Sequence, residues 1–330
     1  MKRVAVTGGG GFIGRALVAQ LIDKGCSVVV IGRRHYPDLE SSEVQCVQVD
    51  ISDGTGLRQA FQGVDTVFHV AAKAGIWGDP GDYLAINVAG TQRVIDACRY
   101  NRVNRLVYTS TPSVVFDGTD IIDGNEELPY ADRPLCAYAK TKIAAERMVL
   151  TANSNSLKTC AIRPHLVWGP DDPHLIPRLI ERGMSGTLRI IGSGSNIVDI
   201  SYVENVAFAH VLAGENLTHS GSGAGQSYFI GQERPVKLWE WVNEMYRELG
   251  IAPITRKVPL FVAYTIGWLL EGVYRLAKIA GEPPMTRFVA LQLSRSHYFS
   301  HHKAAQELGY RPRISIAEGQ DRMLTALKKS

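Results

Sequence analysis

Short apolar runs alternate with segments of helical periodicity along the first half of the chain. The runs predict strands at 4–7, 27–31, 44–49, 64–70 and 105–108. Helical patterns fall at 16–22, 57–61, 83–99 and 137–148. The second run is continuously apolar after its first serine, which suits a parallel strand covered on both faces. This alternation predicts an α/β fold, a doubly wound parallel sheet with ligands at the carboxyl ends of its strands.

The pattern changes beyond about Pro170. A helix is expected at 178–184 and a strand at 188–191, and residues 199–205 are expected to return to the first sheet. We therefore predict a dinucleotide-binding domain at 1–168, with a return segment near 197–232. A smaller, mainly substrate-binding domain is predicted at 169–330.

Glycines follow the first strand at a spacing that suits a phosphate. Gly8 can supply the tight turn, Gly11 lets backbone approach a pyrophosphate, and Gly14 lets the next helix pack closely. The free N–H groups at the start of that helix, near Phe12 and Ile13, then favour negative charge. This strand, turn and helix predict a Rossmann-type dinucleotide site rather than a structural turn.

The residues after the second strand bear on the choice of cofactor. An acidic residue there would accept hydrogen bonds from a ribose 2′-hydroxyl, but this chain has Arg33 and Arg34. Two guanidinium groups can pair with a 2′-phosphate. The alternative is a pair of solvated surface arginines. We expect NADP(H) to be preferred, with NAD(H) as the other cofactor that fits.

Further cofactor contacts are expected where later strands end. Asp50 and Ile51 follow the third strand at the adenine end, and Ala71, Ala72 and Lys73 follow the fourth.

Tyr138 and Lys142 stand four residues apart in a helical segment, so both project from one face. An ammonium near a phenol favours the phenolate, so we expect Lys142 to lower the pKa of Tyr138. Such a tyrosine can exchange a proton with a carbonyl or alcohol oxygen while hydride moves at a nicotinamide.

Composition excludes several other classes of protein. The net charge of +4 over 330 residues, without a dense basic run, argues against a nucleic-acid partner. Five scattered cysteines without a CxxC pair indicate a reducing, cytoplasmic setting, and we expect no signal peptide, because a predicted strand opens the sequence. His301 and His302 are expected in the first turn of a helix at 303–308 capped by Ser300, so no metal site is predicted.

These motifs resemble the extended short-chain dehydrogenase/reductase family, and within it the 3β-hydroxysteroid dehydrogenase branch. The likeness extends to sterol-4α-carboxylate 3-dehydrogenases and 2-alkyl-3-oxoalkanoate reductases and spans nearly the whole chain. It rests on Thr7-Gly8-x-x-Gly11-x-x-Gly14, Asp50, the strand end at 109–111, Tyr138-x-x-x-Lys142, and the segments 68–78, 113–118, 161–165 and 308–312.

The resemblance implies roles at matching positions. Tyr138 would be the proton donor and acceptor, and Lys142 would lower its pKa and contact the nicotinamide ribose. Thr111 would hold the substrate oxygen, with Ser113 as the nearby alternative, and Pro164 would border the nicotinamide. A homodimer through the Tyr138 helix is also implied. Arg33 and Arg34 depart from the sterol dehydrogenases, which carry an acidic residue there.

Two features stay open. His165 follows a strand near the site and is either a substrate ligand or a packed or capping histidine. The uncharged stretch 258–270 is too short to be a good membrane span. It is read as a lid over an apolar substrate, as a core helix, or as an interfacial helix in peripheral membrane contact.

The sequence therefore predicts an NADP(H)-dependent oxidoreductase that interconverts a 3-hydroxy and a 3-oxo group. Its substrate is expected to be hydrophobic and carboxylate-bearing, a 3-oxoalkanoate or a sterol-like molecule. The alternative is a nucleotide-sugar epimerase or dehydratase of the same family, which would need a more polar substrate domain. A dinucleotide sensor without activity would normally have lost Tyr138 or Lys142, and both are present.

Overall fold

The computed structural model describes residues 1–328 of the chain. Within these residues the strands are β1 (Arg3–Thr7), β2 (Ser27–Gly32), β3 (Val44–Gln48), β4 (Thr66–His69), β5 (Arg105–Thr109), β6 (Ile121–Gly124), β7 (Lys158–Pro164), β8 (Val167–Trp168), β9 (Ile190–Ile191), β10 (Ile197–Val198), β11 (Ser201–Tyr202), β12 (Gln226–Ile230), β13 (Val236–Lys237), β14 (Lys257–Val258) and β15 (His297–Phe299). The helices are α1 (Phe12–Asp23), α2 (Leu57–Ala60), α3 (Pro80–Tyr83), α4 (Gly90–Tyr100), α5 (Ala137–Thr151), α6 (Leu175–Met184), α7 (Val203–Thr218), α8 (Leu238–Glu248), α9 (Leu260–Leu276), α10 (Arg287–Gln292) and α11 (Ile316–Leu327).

Seven strands form one parallel sheet in the order β12-β7-β5-β4-β1-β2-β3. The chain runs outward from β1 to β3 and then crosses back to β4, so strand order reverses between β1 and β4. Thr7, the last residue of β1, lies opposite Ile31 of β2 and His69 of β4. A crevice opens at the carboxyl ends of the strands at such a switch point. The predicted doubly wound parallel sheet is confirmed.

Both faces of this sheet are apolar, which is why its strands read as continuous apolar runs. Val4 and Val6 point to the face covered by α1 and α7, where Leu17 and Val211 are buried. Alternate residues such as Ala5 point to the face covered by α2, α4 and α5.

One long helix differs from its prediction. The helical segment starts at Pro80, where the Asp79 side chain accepts the N–H of Gly81, rather than near Tyr83. An Asp-Pro pair is a strong start signal. Between α3 and α4 the residues Leu84–Ala89 form a π-helical turn. This wider turn changes which side chains face the sheet, and it holds Asn87 inside the protein.

The remaining strands build a smaller layer. A second sheet has the order β13-β10-β15-β6, and β8–β11 and β9–β14 are parallel pairs. The apolar core of this smaller layer includes Trp168, Trp239, Trp241 and Tyr246. Residues 201–230 supply α7 and β12 to the large sheet, whereas β6 belongs to the small one. The domain division at residue 168 stays a prediction.

The stretch around 258–280 forms helix α9, with one side packed and one side exposed. Ala263, Gly267 and Glu271 face the protein. A side chain at Gly267 would place its Cβ 2.6 Å from the carbonyl carbon of Thr286, so glycine permits this close approach. No helix in residues 1–328 is long and apolar enough to cross a membrane.

Candidate active site

A cleft of about 740 Å³ lies at the carboxyl ends of β1, β2 and β4. The predicted cofactor residues that line it are Gly8, Gly11, Phe12, Ile13, Gly14, Arg33, Asp50, Ile51, Ala71, Ala72 and Lys73. Arg34, Thr111, Tyr138, Lys142 and Pro164 are not among its lining residues. The cleft also contains side chains that the sequence did not indicate, including Tyr36, Asp172, Pro173 and His174.

The glycine-rich turn requires glycine for two geometric reasons. Gly8 has φ +71°, and a Cβ there would lie 2.8 Å from the backbone nitrogen of Ala71. A Cβ on Gly14 would lie 2.1 Å from the carbonyl oxygen of Gly8. Helix α1 begins after Gly11 without a side-chain cap. Its first N–H groups are therefore available to an anion in the cleft.

Asp50 and Arg33 lie together at the end of the cleft that is formed where β2 and β3 end. Asp50 accepts the N–H of Ser52 at 2.8 Å, and this bond holds the pKa of its carboxyl below its usual value, with a smaller contribution from Arg33. Arg33 and Arg34 are both exposed, but only Arg33 faces the cleft.

The Tyr36 ring covers the glycine turn from this end. A Cβ at Gly10 would come within 2.2 Å of the ring. The guanidinium of Arg15 lies 5.8 Å from the ring centroid and pairs with Asp38. An aromatic ring and several charged groups therefore surround this end of the cleft.

Tyr138 and Thr111 are brought together beyond β5. Thr111 follows this strand and Tyr138 lies in the first turn of α5, so that the Thr111 side chain is near enough to the Tyr138 phenol to act on its pKa, in the lowering direction. Thr111 Oγ1 also lies 3.2 Å from Ser113 Oγ, so the alternative hydroxyl belongs to the same cluster. Although Tyr138 as a whole is partly exposed, burial around its phenol raises its pKa to about 12.

Lys142 lies one turn further along α5 and is 2% exposed. Its Nζ donates to the carbonyl oxygen of Thr109 at 2.5 Å and lies 4.1 Å from the centroid of the Tyr108 ring. Burial lowers the pKa of Lys142 to about 7. Burial raises the pKa of Tyr138 in this structure, and the expected lowering of that pKa by Lys142 stays a prediction.

A hydrogen-bonded chain missed by sequence analysis joins the glycine turn to helix α4. Thr91 donates to the carbonyl of Asn87 at 2.6 Å, so it accepts from His69 Nε2 at 2.9 Å. His69 Nδ1 then accepts from Thr7 Oγ1 at 2.7 Å. Burial lowers the pKa of His69 to about 3, which agrees with this neutral tautomer.

Asn87 extends this chain of hydrogen bonds to helix α5. Its side chain accepts the N–H of Lys73 at 2.7 Å and donates to the Thr141 hydroxyl at 3.1 Å. Thr141 donates in turn to the carbonyl oxygens of Ala137 and Tyr138. Polar residues at 87 and 91, four apart on one helix, are the signal that could have revealed this chain.

Apolar side chains pack around the start of α5. A cluster that includes Phe116, Ile143, Phe288 and Leu291 contacts Cys136, the residue before α5. Leu260 and Tyr264 of α9 pack against the same cluster. Helix α9 therefore packs along this apolar region. Such packing is compatible with its interpretation as a lid and with its interpretation as a core helix.

Of the two interpretations of His165, a substrate ligand or a packed histidine, the structure shows the packed histidine. It is buried, and its Nε2 lies 2.6 Å from Nδ1 of His297. His297 Nε2 lies 2.9 Å from the carbonyl of Gln292, an acceptor only, so His297 donates there and His165 donates to His297. His301 Nε2 lies 3.1 Å from Asp199 Oδ2. Ser300 Oγ accepts the N–H of His302 at 3.4 Å.

Comparison with known proteins supports the same interpretation of the fold. The structure of gox2253 aligns with a TM-score of 0.80 and 25% identity over 100% of this chain and 98% of that one. MoeE5 in complex with UDP-glucose and NAD aligns with a TM-score of 0.76 and 28% identity over 99% of both chains.

A 2-alkyl-3-oxoalkanoate reductase of Shewanella oneidensis is 46% identical, over 98% of this chain and 85% of that protein. The human sterol-4-alpha-carboxylate 3-dehydrogenase, decarboxylating, is 33% identical over 99% of this chain and 88% of that protein. The fold, the cleft and these relatives define an NAD(P)-dependent dehydrogenase or reductase. Residues 5–260 match the model of the 3-beta hydroxysteroid dehydrogenase/isomerase family, and the chain belongs to that family.

Proposed function

We propose that this protein is an NADP(H)-dependent oxidoreductase that interconverts a 3-hydroxy and a 3-oxo group on a hydrophobic, carboxylate-bearing substrate. The proximity of the Thr111 side chain to the Tyr138 phenol, in a chain whose glycine turn lines a cleft, is the observation that carries this proposal. It supports a site in which a proton donor and an oxygen ligand would reach the same substrate atom.

The glycine turn suits a dinucleotide, because side chains at Gly8 and Gly14 would collide with backbone. Gly8, Gly11 and the start of α1 would hold the pyrophosphate, Asp50 the adenine end, and Lys142 the nicotinamide ribose. Pro164, at the end of β7, would border the nicotinamide. The bound nicotinamide supplies or accepts the hydride.

The residues of this chain handle the substrate oxygen and its proton. In the direction of reduction, Thr111 binds the carbonyl oxygen and Tyr138 donates its phenolic proton to the developing alkoxide. The buried ammonium of Lys142 stabilises the tyrosinate that remains. In the direction of oxidation, a carboxylate β to the new ketone is prone to leave as carbon dioxide, without assistance from the enzyme.

The preference for NADP(H) rests on Arg33, which faces the cleft, and on the adjacent Arg34. No carboxylate follows β2 directly to repel a 2′-phosphate. The MoeE5 structure contains NAD, so that cofactor is the alternative to be tested.

The substrate class is inferred from the names of the relatives and from the apolar cluster next to Tyr138. Both named enzymes act on molecules with a carboxylate near a 3-oxo or 3-hydroxy position. Phe116, Phe288 and Leu291 suit an alkyl chain or a sterol ring better than a sugar diphosphate. This favours the oxidoreductase over the epimerase or dehydratase. A homodimer through α5 and peripheral contact of 258–280 with a membrane are further predictions.

The purified protein is to be assayed with 2-alkyl-3-oxoalkanoates and NADPH or NADH, by following nicotinamide absorbance. The reverse reaction is to be followed with 3-hydroxy acids and with sterol 4-carboxylates. We expect oxidation of NADPH that depends on the 3-oxo acid. Activity with a UDP-sugar and none with any 3-oxo or 3-hydroxy acid would contradict the proposal.

A further inference from the structure

Helix α9 exposes a continuous apolar face. Six large apolar side chains on it are between 44% and 89% exposed: Phe261, Ile266, Trp268, Leu269, Val273 and Leu276. At about 100° per residue they fall on one half of the helix circumference. Ala263, Gly267 and Glu271 occupy the opposite, buried half. Scattered exposed apolar residues are ordinary on soluble proteins, but a contiguous group of this size marks a contact surface.

The charges around this face have one sign. Arg256 and Lys257 precede the helix, Arg275 and Lys278 lie at its end, and all four are exposed. Residues 251–281 contain one acidic side chain, Glu271. It is buried and accepts hydrogen bonds from Arg287 at 2.7 and 3.0 Å.

This charge pattern distinguishes between the surfaces that could cover the helix. A second copy of the same face would bring its own four basic groups against these and be repelled. An anionic lipid surface would attract them, while its acyl region accepts the apolar side chains.

We propose that the exposed face of α9 docks on the surface of an anionic lipid bilayer. The helix lies in the plane of the membrane, with Phe261, Trp268 and Leu276 at the boundary between head groups and acyl chains. Arg256, Lys257 and Lys278 pair with lipid phosphates at the rim, whereas Arg275 keeps its ion pair with Glu271 at 3.7 Å. The helix lies on the membrane and does not cross it, in agreement with its length.

This position has a consequence for substrate access. The inner face of α9 contributes Leu260 and Tyr264 to the apolar cluster beside the catalytic helix. Docking therefore brings that cluster close to the medium in which long-chain substrates dissolve. This consequence rests on the proposed function, whereas the docking itself does not.

Purified full-length protein is to be sedimented with vesicles of phosphatidylcholine alone and with vesicles that also contain phosphatidylglycerol. We expect the wild-type protein to bind the anionic vesicles. Trp268→Ser/Leu269→Ser should weaken binding at least about tenfold, because apolar burial is lost. Arg256→Gln/Lys278→Gln should weaken it by roughly tenfold on anionic vesicles only.

Tyr100→Ser is the matched control, because Tyr100 is 66% exposed at the end of α4, a helix of the large sheet, and this variant should bind as the wild type does. Phe261→Ser is the second variant if the double substitution does not fold. Absence of wild-type binding to anionic vesicles would overturn the proposal. The proposal would also be overturned if light scattering showed that the wild type is a dimer and that Trp268→Ser/Leu269→Ser dissociates this dimer. Neither vesicle sedimentation nor light scattering measures catalysis. A negative result for membrane docking therefore does not contradict the proposed reaction.

Discussion

Glu146 and Arg163 form a two-point ion pair inside the protein, with Arg163 Nε 3.1 Å from Oε2 and Nη2 2.5 Å from Oε1. Neither side chain is more than 3% exposed. Tyr130 donates a third hydrogen bond to the carboxylate at 2.8 Å. The pair lies one turn beyond Lys142 and joins α5 to β7, so it fixes the catalytic helix against the central sheet.

Glu146→Gln should destabilise the protein by about 3–5 kcal/mol, because it leaves the Arg163 charge buried without its partner. The measurement is urea unfolding followed by circular dichroism. The double variant Glu146→Gln/Arg163→Met removes both charges and should be less destabilised than the sum of the single variants. Additive losses would show that the two charges do not stabilise each other.

Tyr138→Phe should lower kcat by about 10²–10⁴-fold, because it removes the proton donor and keeps the ring. The dissociation constant for NADPH, measured by nicotinamide fluorescence, should change little. Thr111→Val removes the neighbouring hydroxyl group and should also lower kcat. Comparison of this variant with Ser113→Ala shows which of the two hydroxyl groups binds the substrate oxygen. If Tyr138→Phe keeps full activity, another group supplies the proton.

Stability should depend on pH through Lys142. Its pKa is about 7 in the folded protein and 10.5 in the unfolded chain. Between these values the unfolded state binds more protons, so the free energy of unfolding rises with pH, by up to about 1.4 kcal/mol per pH unit. Below pH 7 both states are protonated, and the full cost of burying the charge remains.

Lys142→Met should therefore be more stable than the wild type near neutral pH, and its stability should change less between pH 7.5 and 9.5. Denaturant unfolding across this range is the test. Parallel stability curves for the two proteins would show that Lys142 is charged in the folded state throughout.

The features predicted from sequence are those that depend on neighbours along the chain. Gly8 and Gly14 could be recognised because a strand, a turn and a helix impose their glycines locally. Tyr138 and Lys142 could be paired because four residues make one helical turn. The doubly wound sheet followed from apolar runs whose continuity reflects cover on both faces.

The features that sequence reasoning missed depend on the register between distant elements. His69 meets Thr7 because β4 pairs with β1, and it meets Thr91 through α4. The lowered pKa of Lys142 depends on how deeply α5 is buried, which the four-residue spacing to Tyr138 does not reveal. Tyr36 gave no periodic signal, and it covers the glycine turn through a loop.

Arg33 and Arg34 should contribute unequally to cofactor choice, because only Arg33 lines the cleft. Arg33→Ala should weaken NADPH binding by roughly tenfold, as expected from loss of one charge-assisted contact to phosphate, and leave NADH binding nearly unchanged. Arg34→Ala is the matched control and should have the smaller effect. Fluorescence titration of both nicotinamides measures this. If wild-type NADH binds as tightly as NADPH, the arginines do not select the cofactor.

Thr141 connects the buried Asn87 to the catalytic helix, and its hydroxyl can be removed with little change of shape. Thr141→Val should cost about 1–3 kcal/mol in the free energy of unfolding, because Asn87 Nδ2 loses an acceptor in the interior. Thr141→Ser keeps the hydroxyl and should retain most of the stability. Since Asn87 also binds both backbone groups of Lys73 at the cleft, Thr141→Val should raise the KM for NADPH as well. A stability loss without a change in KM would show that the chain supports the fold and does not position the cofactor loop.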